Sequence, residues 1–149
     1  MTTLHEQVLE QELEAPDAVL ILLHDTALQL GASAEQARET ARTGVIDLES
    51  RSISVAFSVD EGALVLSAPL PGSWFNDPAN RRRALMASTS LMLQSGVAFC
   101  RPFGEIASGA ALICRWPLDT GNAARLAAWI TEFAAMANMT CRLIEQEAA

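Results

Sequence analysis

Few residues in this 149-residue chain could do covalent or metal chemistry, and their spacing argues against both. The candidates are three cysteines, Cys100, Cys114 and Cys141, and two histidines, His5 and His24. A cysteine nucleophile needs a base and an electropositive setting. Cys100 and Cys114 each precede an arginine, Arg101 and Arg115, but both pairs fall in runs that read as strands. Neighbours on a strand face opposite ways, so the cysteines read as small buried hydrophobes. No CxxC, His-x-x-x-His or mixed His/Cys spacing supports zinc. His24 stands beside Asp25 on an apolar helix, where adjacent residues point in different directions. Lysine is absent and all ten basic residues are arginine, which excludes a lysine Schiff base. "GEIASGAAL" carries glycines without a GxGxxG or GK[ST] pattern, so it is a poor phosphate cradle. The expectation is a protein with no catalytic residue, no metal and no cofactor.

Charge narrows the partners. A net charge of −8 lacks the basic footprint that nucleic acid requires. Carboxylates gather at Glu10, Glu12 and Glu14 and again at Asp47 and Glu49, as solvated faces or as a surface for a basic peptide. Arg81, Arg82 and Arg83 stand out in this acidic chain. They fall in the first turn of an expected helix, where positive charge opposes the macrodipole. They read either as a solvated, internally paired cluster or as a docking patch for an acidic partner. The longest apolar run, "AVLILL" (18–23), is far short of the roughly 20 residues that span a bilayer. With an odd cysteine count and no apolar leader, the expectation is a cytoplasmic protein without membrane insertion.

The elements that must position these residues follow from periodicity. Thr3 with Glu6 makes a capping-box pattern for a short polar helix over 4–14, so residues 1–16 read as an arm ahead of a single domain over 17–149. Asp17 is placed as the cap of a helix over about 18–30 that is apolar nearly all round. Ser33 and Gln36 repeat the capping box for a helix over 34–43 closed by Gly44. The period then drops to two. "VIDLE" (45–49) and the arms of "SISVAFSVDEGALVLSAPLPG" (52–72) give three antiparallel strands, the last two joined at Asp60-Glu61-Gly62. Asn76 or Asp77 caps a helix over 79–95 with Pro78 at its first position. "VAFCRPF" (97–103) and "GAALICRW" (109–116) read as two further strands, and 120–145 as an amphipathic helix. The class is α+β with an antiparallel sheet, three strands then two, in the order α-α-β-β-β-α-β-β-α. These elements carry more apolar surface than one small sheet covers, which favours dimerisation and peptide binding over catalysis.

Over residues 17–145 the chain resembles the class I effector chaperones of bacterial type III secretion, the Tir-chaperone-like family. The likeness rests on that order of elements and on four phrases: "GALVLSAPLP", "RRRALMASTSLMLQSGVAF", "ASGAALICRWPLD" and "LAAWITEFAAMANMTCRLIE". The resemblance implies a homodimer that does no chemistry. It would bind N-terminal segments of secreted effector proteins in extended, secretion-competent form and deliver them for export, with the secretion ATPase as a candidate docking partner. It implies a dimer interface from the central helix and the strand after it: Leu85, Met86, Thr89, Met92, Leu93, Val97 and Phe99. It implies a client groove from the first helix and the sheet: Leu20, Ile21, Leu23, Val55, Phe57, Leu64 and Leu66, with groove and core residues left undivided. The helix at 34–43 and the segment 1–16 depart from the family pattern. The alternative is a small scaffold or regulatory dimer of the same fold that binds folded partners.

Overall fold

The structure is a computed structural model that describes residues 16–71, 73–100, 110–118 and 122–148, with backbone alone for residues 73, 74, 98–100, 110, 147 and 148. The expected helix at 4–14, His5, the Glu10–Glu14 carboxylates and the "GEIAS" turn lie outside these residues.

Helix α1 (Asp17–Gln29) is capped by Pro16, not by Asp17, which sits inside the first turn. The Pro16 carbonyl accepts from Val19 N–H at 2.8 Å, and the ring fixes the entry dihedral. Gly31, at φ 91°, reverses the chain, and Ala32 N–H closes back on the Ala27 carbonyl at 3.0 Å. Helix α2 (Ala34–Thr43) has the expected capping box. Gln36 N–H donates to Ser33 Oγ at 3.1 Å, and Ser33 N–H donates to Gln36 Oε1 at 2.9 Å.

The sheet follows: β1 (Val45–Asp47), β2 (Ser52–Ser58) and β3 (Ala63–Leu70), then, after a 3₁₀ turn (Ser73–Asn76) and helix α3 (Pro78–Ser95), β4 (Val97–Cys100) and β5 (Ala110–Pro117). Helix α4 (Ala123–Ala148) closes the chain. All pairings are antiparallel and the spatial order is β1-β2-β3-β5-β4, so the last strand enters the sheet between β3 and β4. The α+β class and the antiparallel sheet agree with the expectation from periodicity. β1 stops at Asp47 instead of Glu49, because Leu48 N–H turns to the Arg51 carbonyl at 2.9 Å and starts the link to β2.

One face of the sheet is apolar. Ile53 and Val55 of β2, Leu64, Leu66 and Ala68 of β3, and Leu112 and Cys114 of β5 are buried. Helix α4 covers that face with Leu126, Ile130, Phe133, Ala137 and Ile144, at helical spacing, and α1 adds Val19 and Leu23. Each fully buried Leu, Ile or Phe of this set contributes about 1.5–3 kcal/mol.

Pro69 lies in a strand with neighbours on both sides, which would normally exclude it. β2 pairs with β3 only as far as Ser67, so Pro69 lies beyond the ladder. Arg51 fills the gap. Its Nη1 donates to the Pro69 carbonyl at 3.1 Å, its Nε to Asn138 Oδ1 at 2.7 Å and its Nη2 to Cys141 Sγ at 3.1 Å. One guanidinium thereby ties the β1–β2 link, the exit of β3 and α4 together.

Candidate functional site

Helix α3 has its large side chains on the wrong side for a helix serving its own core. Asp77 Oδ1 caps it from Ala79 N–H at 2.9 Å, and Pro78 occupies the first turn as expected. The inward stripe is Ala84, Ser88, Leu91 and Ser95, spaced by four, three and four, and only Ala84 is fully buried. The outward stripe is Leu85, Met86, Thr89, Met92 and Leu93. Leu85 is 70% exposed, Met86 77%, Met92 54% and Leu93 84%. Thr89 spends its hydroxyl on the Leu85 carbonyl at 3.2 Å, which leaves its methyl to the same stripe. α3 packs on β4, an edge of the described sheet, and on the 3₁₀ turn. Val97 of β4 is fully buried, and the side chain of Phe99 lies outside the described residues.

A groove of about 410 Å³ runs between α3 and α4, lined by Ala84, Ala87, Leu91, Met136, Met139 and Leu143 among others. Leu143 and Ile144 are adjacent apolar residues near the end of α4. The structure buries Ile144 and leaves Leu143 and Met139 exposed. The signal was the width of the stripe: α4 carries apolar residues over more than the arc one sheet face covers.

The residues assigned to a client groove divide in two. Leu23, Val55, Leu64 and Leu66 belong to the buried core under α1 and α4 and offer no surface. Ile21 is exposed, and Leu20 and Phe57 are half-buried. Val59, expected within the second strand, falls in the hairpin turn and is exposed.

The chemistry-bearing residues are placed as follows. Cys114 is buried, and burial pushes its thiol from an ordinary 9.0 up to about 11, although Trp129 Nε1–H donates to its sulfur at 3.3 Å. A thiol so held is a packing residue, not a nucleophile. Cys141 is half-buried and receives the Arg51 bond already described. The Cys100 side chain lies outside the described residues. His24 Nδ1 lies 3.2 Å from Asp25 Oδ1, so their tips meet despite their divergent Cβ directions. Among the described residues no cluster of three His, Cys, Asp or Glu side chains could hold a metal ion.

Within the arginine triplet, Arg81 has bonds of its own to the preceding turn. Arg81 folds back and donates from Nε to the Phe75 carbonyl at 2.8 Å and from Nη2 to the Asn76 carbonyl at 3.2 Å. It caps the 3₁₀ turn with these two bonds, and Arg81, Arg82 and Arg83 are all exposed. Among the described residues no helix is long and apolar enough to cross a membrane. Comparison with protein-family models, with curated proteins and with solved structures found no match to this chain.

Proposed function

We infer that the chain is a non-catalytic, homodimeric binding protein that holds N-terminal segments of type III secretion effectors in extended form for export. The observation that carries this reading is the outward stripe of α3. A helix that turns Leu85, Met86, Met92 and Leu93 to solvent while fully burying only Ala84 is built for an external partner. Its position beside the open strand β4 lets a second copy present the same helix and edge, as a two-fold interface requires. A standard interface takes about 800 Å² per partner. The α3 stripe and the adjoining groove form one continuous surface to supply it. The client surface is then the other end of the sheet: Ile21 and Leu20 on α1, and Phe57 on β2. A disordered segment brings apolar anchors and unpaired backbone groups, and an edge with half-buried pockets meets both needs. The acidic surface keeps the loaded complex soluble.

The experiment is affinity capture of the tagged chain from its own host, with light scattering of the eluted complex. Two copies with secreted proteins held through their N-terminal segments support the reading. A monomer, or capture of folded cytoplasmic proteins alone, removes it in favour of a scaffold. The variant Met86→Glu/Leu93→Glu shifts the free protein to monomer without unfolding it, because both side chains are exposed in a single copy.

A further inference from the structure

A second cavity, of mixed apolar and polar lining, lies at the far edge of the sheet. It measures about 400 Å³ and is bounded by the end of α1, by α2 from Gln36 to Thr43, and by β1. All three β1 residues line it. Val45 and Asp47 point to one face of the sheet and Ile46 to the other. A cavity touching all three therefore wraps the open edge of the strand. Main-chain pairing agrees. Val55 N–H donates to the Gly44 carbonyl at 2.7 Å and Leu48 N–H to the Arg51 carbonyl at 2.9 Å, so residues 44, 46 and 48 face β2. The main-chain groups of Val45 and Asp47 face away, where no strand pairs with them among the described residues. Thr43 Oγ1 accepts the Val45 N–H at 3.2 Å, which leaves the Val45 carbonyl and the Asp47 main-chain groups without a strand partner among the described residues.

The walls favour positive charge. The C-terminus of α1, a negative dipole end, opens onto it, α2 runs along it from Gln36 to Thr43, and Glu39 and Asp47 are the charged side chains of its wall. The last turn of α1 carries no basic residue, and Arg42 of α2 is tied to Glu39. Asp47 contributes a carboxylate that only the Ser52 hydroxyl addresses among the described residues. The deciding group is Thr40. It is 6% exposed, lines the cavity, and its hydroxyl has no partner among the described residues. A buried hydroxyl left without a bond costs about 1–3 kcal/mol, and Thr26, the other buried polar residue, spends its own on the Leu22 carbonyl at 2.6 Å.

We propose that this cavity receives the guanidinium or ammonium group of a basic side chain on an extended polypeptide laid along the open edge of β1, with Thr40 and Asp47 as its polar contacts. The occupant rests on the reading above that the chain binds extended segments; the cavity and its charge preference do not. It would make α2, the helix that departs from the family pattern, the source of sequence preference in the client.

The test titrates the full-length protein with acetyl-Ser-Val-Arg-Val-Ser-amide and with the same peptide carrying neutral, isosteric citrulline, following amide signals and heats of binding. The arginine peptide should bind on the order of fivefold more tightly and perturb residues 40–47. Thr40→Val and Asp47→Asn should each remove most of that preference, and Thr40→Val should melt no lower than the parent chain. Equal binding of the two peptides, or unchanged preference in both variants, overturns the proposal. Spermidine saturating the same residues while the peptide binds no more tightly also overturns it, since the cation would not be strand-borne. Client capture unaffected by Thr40→Val and Asp47→Asn overturns the cavity and spares the chaperone reading. Peptide preference without any secreted client supports the cavity and removes that reading.

Discussion

Replacing Gly44 with alanine should destabilise the protein well beyond an ordinary helix-end substitution. Gly44 ends α2 at φ 75° and ψ 11°. A residue with a Cβ resists that left-handed conformation by about 1–2 kcal/mol. The backbone of β2 adds a second term. An ideal Cβ on Gly44 would lie 2.4 Å from the Val55 carbonyl oxygen. Rigid backbone cannot yield as a side-chain tip does, so the β1–β2 pairing must open. The Val55 N–H to Gly44 bond would then be lost, worth about 1 kcal/mol. The total is about 2–3 kcal/mol. Gly96 is the matched control: it ends α3 at φ 72° and ψ 14°, and a Cβ there meets nothing within 4 Å. Gly96→Ala should carry the conformational term alone, about 1–2 kcal/mol. Gly31, at φ 91° in open space, serves as a second control. At roughly 2–4 °C per kcal/mol for a chain of this size, Gly44→Ala should melt about 4–12 °C below the parent and Gly96→Ala about 2–8 °C, with Gly44→Ala the lower of the two. Urea unfolding at one protein concentration should rank them identically. Equal losses at positions 44 and 96 would refute the steric argument and with it the close approach of α2 to β2.

Two further outcomes follow from single side chains. Arg51→Lys keeps the charge but loses the planar fork that serves three acceptors on separate elements, so it should lower urea-unfolding stability by about 1–2 kcal/mol, with Arg51→Ala at least as damaging. Cys114 sets a pH dependence: its proton is held up to about 11 in the folded state, against 9.0 ordinarily, so its contribution is complete below pH 9 and is lost as pH rises toward 11. Denaturation at pH 8 and pH 10.5 should show a fall of up to about 2 kcal/mol that Cys114→Ala reduces, and iodoacetamide at pH 8 should label Cys114 only after unfolding.

Local rules were legible where one residue decides one bond. Ser33 with Gln36, Asp77 with Pro78, and the alternation of Ile53, Val55, Leu64 and Leu66 each named their element because cap geometry and pleat period depend on near neighbours. Asp17 misled because an N-cap aspartate and a first-turn aspartate look alike when a proline precedes them. Alternation also says which residues share a face, not what covers it. Leu64 and Leu66 therefore stayed undivided between groove and core until α4 was seen across them. Arg81 carried the same ambiguity: its charge was plain, while the carbonyls of Phe75 and Asn76 that absorb it depend on how the 3₁₀ turn closes. Thr40 gave no signal at all, since an unsatisfied hydroxyl is defined by the partners that a fold fails to provide.

The place of β5 between β3 and β4 governs when this chain can fold during its own synthesis. Leu66 must meet Cys114, and β4 joins the sheet only through β5. At about 5–20 residues per second, the ribosome needs roughly 2–9 s to travel from Leu70 to Pro117, 117 − 70 = 47 residues. Throughout that interval the hairpin of β2 and β3 waits with one side unpaired and with no α4 to shield its apolar face. The nascent chain is thus most vulnerable to aggregation and proteolysis while its middle is complete and its end is missing. A chain stalled or truncated after Ser95 would present a bare β3 edge, whereas the finished protein covers it from within.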